Sequence, residues 1–560
     1  MRHNSITMIG FLKNSTQLFR RKQEDILSAA FLIAVSVAIS RILGLVRYRL
    51  LASYFGGDIK LLDSFIAASI LPDAIFEVLI FGTIALAFIP IFSQYLSRDK
   101  LEKAWRLSST MISIGLLIFA VLTVLIMIFA SPIASLIAPG LVDKEPTTQL
   151  LIARLLRIML LAQLFFVVSI FLTGILQSFQ RFLIPALASI FYNLGIIISI
   201  VFLSPVIGIY APAFGMILGA LLHMIVQFPL VMSLGFKFNF NFNFKNKDVR
   251  EMFLLMWPRS ITLGLTRLSE IINIALASIA AIGSIAAFNF AQVLQLVPIA
   301  FFASPISQAA LPSLSIQHHS GKSEQFKKLF LESFHQILFL ILPSAAILAI
   351  LRIPAVRLVF GARELPWEIT VLTGRILIAF SIGIAAQAVS LLLTRSFYAL
   401  RDSATPLKVS IVAIGTNIAL SLIFIFVLKL PIIWLAVAYS VGQILNSLGL
   451  LILLYRKVGG FDFKSFFTPP IKMGIITAIT AISLYIPMKL LDQLVFDTTR
   501  TVGLILLTTI ATLSGLTVYI LLSWIFKVEQ LVIFTHFLKR VMTWPSKLQS
   551  PPPTSIPSER

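Results

Sequence analysis

The first long apolar segment, Ile26–Phe55, reads ILSAAFLIAVSVAISRILGLVRYRLLASYF. It is long enough to cross a bilayer as a helix, yet it contains Arg41, Arg47 and Arg49. A charge at membrane depth costs several kcal/mol, so it normally faces a wet cavity, a partner or a ligand. The stretch therefore predicts a membrane-spanning helix beside a water-filled cavity that attracts an anion.

The two arginines nearest the middle of this helix point in different directions. Arg41 and Arg47 lie about 9 Å apart along the helix axis and about 240° apart around it. We therefore expect one of them to face the cavity directly. The other pairs with a carboxylate or extends toward the membrane surface.

The composition places the whole chain in a membrane. Of 560 residues, 58% are hydrophobic and 12% are charged, and apolar runs recur from residue 26 to residue 526. These values predict an all-α polytopic membrane protein. The chain has no cysteine, which excludes disulfides, thiolate metal sites and cysteine nucleophiles. The net charge of +22 lies in short loops, which indicates contact with anionic lipid rather than nucleic acid.

Breaking the apolar runs at charged residues, proline and glycine predicts 14 transmembrane helices. They lie near 26–55, 62–95, 107–131, 149–178, 183–204, 208–234, 252–282, 285–314, 329–351, 369–399, 407–428, 432–456, 468–490 and 500–526.

The loops on one side of the predicted membrane are much more basic than those on the other. Both termini and the gaps after even-numbered helices contain about 27 Lys and Arg, against 8 on the opposite side. Positive charge marks the cytoplasmic side, so we expect both termini in the cytoplasm and the Lys144 and Arg363 loops outside. In the loop after helix 6, the alternating run Phe236–Lys245 predicts an extended segment at the bilayer surface.

Three short motifs recur at nearly one offset. Leu43-Gly-Leu-Val-Arg47 returns at 263–267, Phe88-Ile-Pro-Ile-Phe-Ser93 at 310–315, and the segment 176–185 at 397–406. Six helices separate the copies, which predicts two parallel six-helix lobes with a binding site between them. We expect a cytoplasmic segment at 1–25, lobes at 26–234 and 252–457 joined by a loop at 235–251, two extra helices within 458–526 and a cytoplasmic tail at 527–560.

Signs of catalysis or of a cofactor are weak in this sequence. Gly321-Lys-Ser323 resembles the end of a phosphate-binding loop, but Ile316 stands where the first glycine is needed. The six histidines show no metal-ligand spacing beyond one adjacent pair. We expect a transporter rather than an enzyme, with no metal and no cofactor.

Further ionisable residues lie within the predicted spans. Asp73 and Glu77 share a face of helix 2, and Arg267 and Glu270 share a face of helix 7. Asp73 and Glu77 either pair with helix 1 arginines or bind a ligand or ion. Arg267 and Glu270 either line the cavity or neutralise each other. Pro72 in helix 2 and Pro298 in helix 8 predict kinks, and we interpret both as hinges.

Several of these motifs resemble the MurJ/MviN family. The resemblance rests on Ser40-Arg-Ile-Leu-Gly-Leu-Val-Arg47, Asp63-Ser-Phe-Ile-Ala with Leu71-Pro72, and Phe397-Tyr-Ala-Leu-Arg-Asp-Ser-Ala-Thr-Pro406. It extends from about residue 26 to residue 526. This family comprises the lipid II flippases of the multidrug/oligosaccharidyl-lipid/polysaccharide exporter superfamily.

The resemblance implies a substrate and a mechanism. The substrate would be lipid II, the polyprenyl-diphosphate precursor of peptidoglycan, which family members move to the outer leaflet of the bacterial cytoplasmic membrane by alternating access. It implies that Arg41, Arg47 and Asp63 line the substrate cavity. Guanidinium groups suit a diphosphate because they form bidentate hydrogen bonds. We add Glu77, Arg267, Glu270 and Gln292 as cavity residues by position. The coupling ion stays open.

Two departures from the family pattern leave other functions open. Phe76 and Val293 stand where many members have arginine, and Arg267 could replace one of those cations. A flippase for another polyprenyl-diphosphate-linked glycan, a drug or ion antiporter of the superfamily, and a non-transporting scaffold of cell-wall assembly remain alternatives.

Overall fold

The computed structural model describes residues 26–78, 88–361, 364–498 and 500–532. The first half of the chain forms α1 (Ile26–Phe55), α2 (Ile59–Phe76), α3 (Ile89–Ser97), α4 (Leu101–Ile128), α5 (Ala130–Ile137), α6 (Pro139–Lys144), α7 (Thr147–Ser178), α8 (Leu183–Ile207), α9 (Tyr210–Ile225), α10 (Phe228–Ser233) and α11 (Lys247–Ile279).

The second half continues with α12 (Ser284–Pro298), a π-helical turn (Ile299–Ala303), α13 (Ser304–His319), α14 (Ser323–Ile350), α15 (Arg352–Phe360), α16 (Trp367–Ala399), α17 (Ala404–Leu422), a second π-helical turn (Ile423–Val427), α18 (Ile433–Lys457), α19 (Phe463–Leu494) and α20 (Thr501–Ile525).

The prediction of an all-α polytopic membrane protein is confirmed. Each of the 14 predicted spans coincides with one long helix or with consecutive helical pieces. Within the described residues, 11 helices are long and apolar enough to cross a membrane. The seventh span begins earlier than predicted, at Lys247 instead of 252, because the Asn246 side chain accepts a hydrogen bond from the Asp248 amide and caps the helix. The predicted segment 1–25, the loop residue Arg363 and most of the tail lie outside the described residues.

The extended segment after α10 packs along α4. The backbone amides of Asn239 and Asn241 donate to the hydroxyls of Ser109 and Ser113, at 3.4 and 3.1 Å. These serines lie one turn apart on α4, and the amides belong to alternate residues of the segment. The alternation therefore places the amides of Asn239 and Asn241 against α4 and leaves Phe238, Phe240, Phe242 and Phe244 exposed, whereas Phe236 is buried. No strand forms within the described residues, and the position of the segment at the bilayer surface stays a prediction.

The backbone repeats at the same offset as the sequence motifs. Residues with positive φ occur in pairs 221 or 222 residues apart: Asp99 with Gly321, Gln180 with Arg401, and Gly208 with Lys429. Four of these six residues are not glycine, so they adopt a conformation that ordinary side chains disfavour. Since turn geometry is independent of side-chain identity, these pairs strengthen the interpretation that the chain contains a duplicated unit.

Packing divides the chain into two compact units. The first comprises Met1–Leu294, Val356–Ala379 and Ser410–Gly442, and the second comprises Gln295–Ala355, Phe380–Val409 and Gln443–Arg560. The division passes through several helices of the predicted second lobe, and the lobe boundaries stay a prediction.

Glycine contacts bring two helices of the first unit close together. A Cβ atom on Gly195 of α8 would lie 2.5 Å from the Gly219 Cα of α9. Small residues at such a crossing allow helix backbones to approach in a membrane, where packing rather than water exclusion drives association. The second unit is held by aromatic stacking, with Phe330 on Phe461 and Phe334 on Phe466, both at 5.2 Å between ring centroids.

Candidate substrate cavity

Arg41 lies on the same face of α1 as Tyr48. Seven residues bring a helix back to within about 20° of the same direction. The Tyr48 ring packs edge-on against Phe290 of α12 and Phe360 of α15, at 6.2 and 6.3 Å between centroids. Phe290 and Phe360 also stack on each other at 4.4 Å. Arg41 therefore lies two helical turns from an aromatic cluster between three helices, and its side chain is exposed.

Arg47 has different surroundings. Its guanidinium carbon lies 5.0 Å from the Tyr48 ring centroid, and it interacts electrostatically with Asp73 of α2 and Tyr192 of α8. The side chain is half-buried. The two arginines thus project from different sides of α1, as their spacing predicts. Within the described residues, neither of them forms an ion pair within 4.0 Å.

Arg267 of α11 is bound by two carboxylates. Its Nε donates to Glu77 Oε2 at 2.8 Å, its Nη2 also contacts Glu77, and its Nη1 contacts Glu270 one turn away on the same helix. The Glu77 contact joins α2 to α11. The predicted neutralisation of Arg267 by Glu270 is therefore present, and Glu77 pairs with Arg267 rather than with a helix 1 arginine.

The arginines that end the two repeated motifs both interact with carboxylates at the end of α2. Arg47 and Arg267 are the corresponding final residues of the Leu-Gly-Leu motifs, 220 residues apart. Asp73 on α2 and Glu77 directly after its end, one turn apart, interact with Arg47 and Arg267 respectively. The structure thus brings together Arg47, Asp73, Glu77, Arg267 and Glu270, which we call the α2 charge cluster.

Asp63 lies outside this cluster. It is 1% exposed, and its carboxylate accepts hydrogen bonds from the amides of Gly283, at 2.6 Å, and Ala286, at 2.8 Å. Gly283 has φ +90° and precedes α12 directly. Asp63 therefore caps the start of α12, where a carboxylate satisfies free amides and complements the helix dipole.

Further contacts surround Asp63 and join the same ends of the helices. Lys144 Nζ donates to the carbonyl of Ile279 at 2.8 Å and also contacts the carbonyl of Ala280. The Gly140 amide donates to Ser278 Oγ at 3.0 Å. A Cβ on Gly140 would lie 2.3 Å from Ile279 Cα, so only glycine fits there. We call this region, formed by Asp63, 140–144 and 278–286, the closed end.

The positions of the other three predicted site residues, Gln292, Pro72 and Pro298, do not by themselves indicate a role. Gln292 is half-buried on α12, two residues beyond Phe290. Pro72 lies within α2 and Pro298 ends α12. The prolines are 226 residues apart, whereas the π-helical geometry that follows each of them begins at Glu77 and at Ile299, 222 residues apart. The two π turns, and not the two prolines, therefore occupy equivalent positions in the two copies of the repeat.

The departure at Phe76 has a structural counterpart. The Phe76 ring packs against Phe166 of α7, with 4.4 Å between centroids, and Phe166 also contacts Tyr192. Aromatic packing therefore occupies the position where many members of the MurJ/MviN family place a cation.

The sequence did not single out Tyr48, Tyr192 or Gly140 as site residues. The spacing of Tyr48 from Arg41 was a usable signal, because it places both on one helix face. Tyr192 is one of many aromatic residues in apolar helices, and nothing local connects it with Arg47. Gly140 follows a proline, a pattern that also marks ordinary turns.

Replacing Asp63 by asparagine is expected to open the closed end. The amide nitrogen would face backbone donors, so at least one of two charge-assisted hydrogen bonds would be lost, each contributing about 1.5–3 kcal/mol. We expect the thiol-labelling rate of a cysteine at buried Ala287 to rise about tenfold or more. The control is Ser64→Ala, because the buried Ser64 hydroxyl has no hydrogen-bond partner within the described residues. Equal labelling in both backgrounds would contradict this role of Asp63.

Comparison with known proteins places this geometry in a family. The sequence profile described as "Lipid II flippase MurJ" matches residues 51–498. A curated protein of Burkholderia cenocepacia named "Lipid II flippase MurJ" is 28% identical over 430 residues, which cover 75% of this chain and 82% of that protein.

The solved structures agree. One titled "Lipid II flippase MurJ, inward closed conformation" matches with a TM-score of 0.71 and 26% identity, covering 89% of this chain and 98% of that one. An inward-facing MATE family transporter of the MOP superfamily matches with a TM-score of 0.61 and 14% identity, over 76% of this chain and 98% of that one, which shows a shared fold. The chain is a multi-pass protein of the bacterial cytoplasmic membrane, and it belongs to the lipid II flippase MurJ family.

Proposed function

We propose that this protein moves lipid II from the inner to the outer leaflet of the cytoplasmic membrane, with Arg41 and Arg47 binding the diphosphate. The observation that carries the proposal is the position of these two cations. Arg47 lies beside the aromatic cluster of Tyr48, Phe290 and Phe360, and Arg41 lies two helical turns from it on α1; neither forms an ion pair in the described part of the chain. A diphosphate supplies the anionic oxygens that such guanidinium groups bind most strongly.

Comparison of Arg267 in the α2 charge cluster with the arginines of α1 supports the same proposal. Arg267 contacts two carboxylates, so most of its charge is compensated by the protein itself. Arg47 interacts electrostatically with one carboxylate, Asp73, and with Tyr48 and Tyr192, and within the described residues it forms no ion pair within 4.0 Å; Arg41 is exposed. The least compensated positive charge therefore lies on α1, and we propose that the anion binds there rather than at Arg267.

The closed end supports an alternating mechanism. Hydrogen bonds made by Asp63, Gly140 and Lys144, of which the first two are buried, connect the first six predicted spans to the end of α11 and the start of α12. These contacts must break before a bulky headgroup can leave on that side. We propose that the π turns after Pro72 and Pro298 provide the bending, because such turns interrupt the regular helical hydrogen bonds.

We propose that the closed end faces the outside, since it includes the loop at Lys144 that the charge pattern places there. A cysteine at exposed Asp143 is expected to react with an impermeant maleimide in intact cells, whereas one at exposed Lys322 reacts only after permeabilisation. The chain contains no other cysteine, so the signal has no background. Labelling in the opposite pattern would invert the orientation.

Arg267→Ala is expected to reduce flipping strongly, because it leaves Glu77 and Glu270 close together without their cation. Removing one partner of a fully buried pair costs about 3–5 kcal/mol, and the cost is smaller here because all three side chains are half-buried. Adding Glu77→Gln and Glu270→Gln to this variant should restore most of the activity at equal membrane abundance. If Val293→Arg restores activity and the two glutamines do not, Arg267 acts as a substrate-binding cation instead.

The direct test of the proposed function is complementation. The gene is expressed in a bacterium whose own lipid II flippase is depleted, and the lipid II reaching the outer leaflet is measured. We expect growth and outward lipid II to return with the natural chain and not with Arg47→Ala at equal abundance. If both variants restore outward lipid II equally, the cations of α1 have no role in transport.

A further inference from the structure

A separate cavity of about 460 Å³ lies in the second unit, where the turn between α16 and α17 meets the end of α18. Its lining includes Phe397, Asp402, Thr405, Lys408, Arg456 and Lys457. We call it the turn pocket. It contains none of the residues of the α2 charge cluster or of the closed end.

The one carboxylate among these lining residues is fully engaged by the protein. Asp402 accepts hydrogen bonds from Lys457 Nζ at 2.5 Å, from the Thr405 amide at 3.0 Å and from the Thr405 hydroxyl at 2.7 Å. Partial burial favours the neutral carboxyl, but these donors outweigh it and lower the pKa of Asp402 to about 2. A carboxyl with a lowered pKa stays ionised above that pH, so Asp402 compensates Lys457 throughout the physiological range.

Two cations of the turn pocket have no such partner. Lys408 lies on α17 and Arg456 near the end of α18; both side chains are exposed, and neither takes part in an ion pair within the described residues. With Asp402 and Lys457 compensating each other, the pocket carries about two uncompensated positive charges. Such a pocket attracts an anion.

The internal repeat shows that the fold does not require these cations. The positions 221 residues before Lys408 and Arg456 are Leu187 and Gly235, which are uncharged. The turn geometry is the same in both copies, with Gln180 and Arg401 in the left-handed conformation. These two cations are therefore a property of the second copy alone.

The residues next to the turn pocket indicate which kind of anion it would bind. Tyr398, Ile452 and Tyr455, whose side chains are exposed, are the sequence neighbours of the lining residues Phe397, Leu453 and Arg456 at the ends of α16 and α18. Tyrosines concentrate at the membrane interface, and basic pockets between helices on the cytoplasmic side bind anionic lipid headgroups. A lipid phosphate in the pocket would leave its acyl chains beside these apolar surfaces.

We propose that the turn pocket binds the phosphate of an anionic phospholipid such as phosphatidylglycerol, through Lys408 and Arg456. This site is separate from the transport cavity and does not depend on the flipped substrate. Phosphatidylethanolamine, with its own ammonium group, should bind weakly because it brings a third cation to the two already present.

Native mass spectrometry of the purified full-length protein tests the proposal, because it counts retained lipids and needs no transport. We expect Lys408→Ala with Arg456→Ala to weaken phosphatidylglycerol retention on the order of 30-fold. The matched control is Lys100→Ala with Lys322→Ala, which removes two exposed cations from turns at other cytoplasmic helix ends. Added phosphatidylglycerol should also raise the Tm of the natural protein and of the control, but not that of the pocket variant.

Three results would overturn the assignment. Equal retention by the pocket variant and the control would show that Lys408 and Arg456 bind no lipid. Displacement of the lipid by millimolar inorganic phosphate would identify a free-anion site. Displacement by stoichiometric lipid II would make the transported substrate the occupant. Since flipping is not measured, none of these results depends on the outcome of complementation.

Discussion

Arg47→Ala is expected to abolish lipid II flipping. Arg47 sits half-buried between α1, α2 and α8, where water competes poorly for a bound diphosphate. A bidentate guanidinium contact provides two charge-assisted hydrogen bonds of about 1.5–3 kcal/mol each, so their loss lowers the rate by about 100-fold or more. Arg41→Ala should have a smaller effect because the exposed Arg41 is better solvated. The rate is measured with purified protein in liposomes.

The conservative replacement separates charge from geometry. Arg47→Lys should recover only part of the rate, because an ammonium group cannot make the forked contact. The matched control is Arg154→Ala, which removes an exposed arginine from α7 outside the cluster. Full activity of Arg47→Ala, with Arg154→Ala behaving alike, would exclude Arg47 from substrate binding.

Fixing the closed end is expected to stop transport completely. Lys144 of α6 and Ala280 beside α11 are both exposed, and Lys144 reaches the Ala280 carbonyl. Cysteines at these two positions, joined by a short reducible bis-maleimide, would link the first six predicted spans to the seventh span, α11. The headgroup could then enter the cavity but not leave it on this side, so flipping should cease and return after reduction.

A second cysteine pair provides the control. Lys60 and Glu145 form an ion pair at 2.6 Å at the same end of the molecule, but both belong to the predicted first lobe. Cross-linking them consumes the same reagent and removes neighbouring charges without joining the lobes, so transport should continue. Undiminished transport with the Lys144 and Ala280 positions fully cross-linked would exclude opening at this end.

The helices and the candidate cations were predictable because their signals are local. A span is visible in about 20 consecutive apolar residues. An arginine inside a span is easily recognised as a candidate site residue, because a charge at membrane depth costs free energy. The duplication was also visible, since Arg47 and Arg267 end similar motifs. Even the separation of Arg41 and Arg47 around α1 followed from helical geometry alone.

The partners of these residues were not predictable, because they depend on contacts between distant parts of the chain. Asp63 resembles a cavity carboxylate in sequence, yet its oxygens accept hydrogen bonds from amides 220 and 223 residues away. The spacing of Arg267 and Glu270 left pairing and cavity lining open, and the contact of Arg267 with Glu77 required the packing of α11 against α2. Backbone amides leave no trace in side-chain patterns, so a helix cap between distant helices cannot be read from sequence.

Transport of lipid II by Arg41 and Arg47 is tested most directly by a flipping measurement with defined components. The purified natural protein and the Arg41→Ala, Arg47→Ala double variant are placed in liposomes containing fluorescent lipid II, and an impermeant reductant quenches the outer leaflet. We predict that the natural protein makes the inner-leaflet lipid II accessible, whereas the double variant leaves it protected, as in protein-free liposomes. Equal quenching with both proteins, or protection with both, would contradict transport of lipid II by the cations of α1.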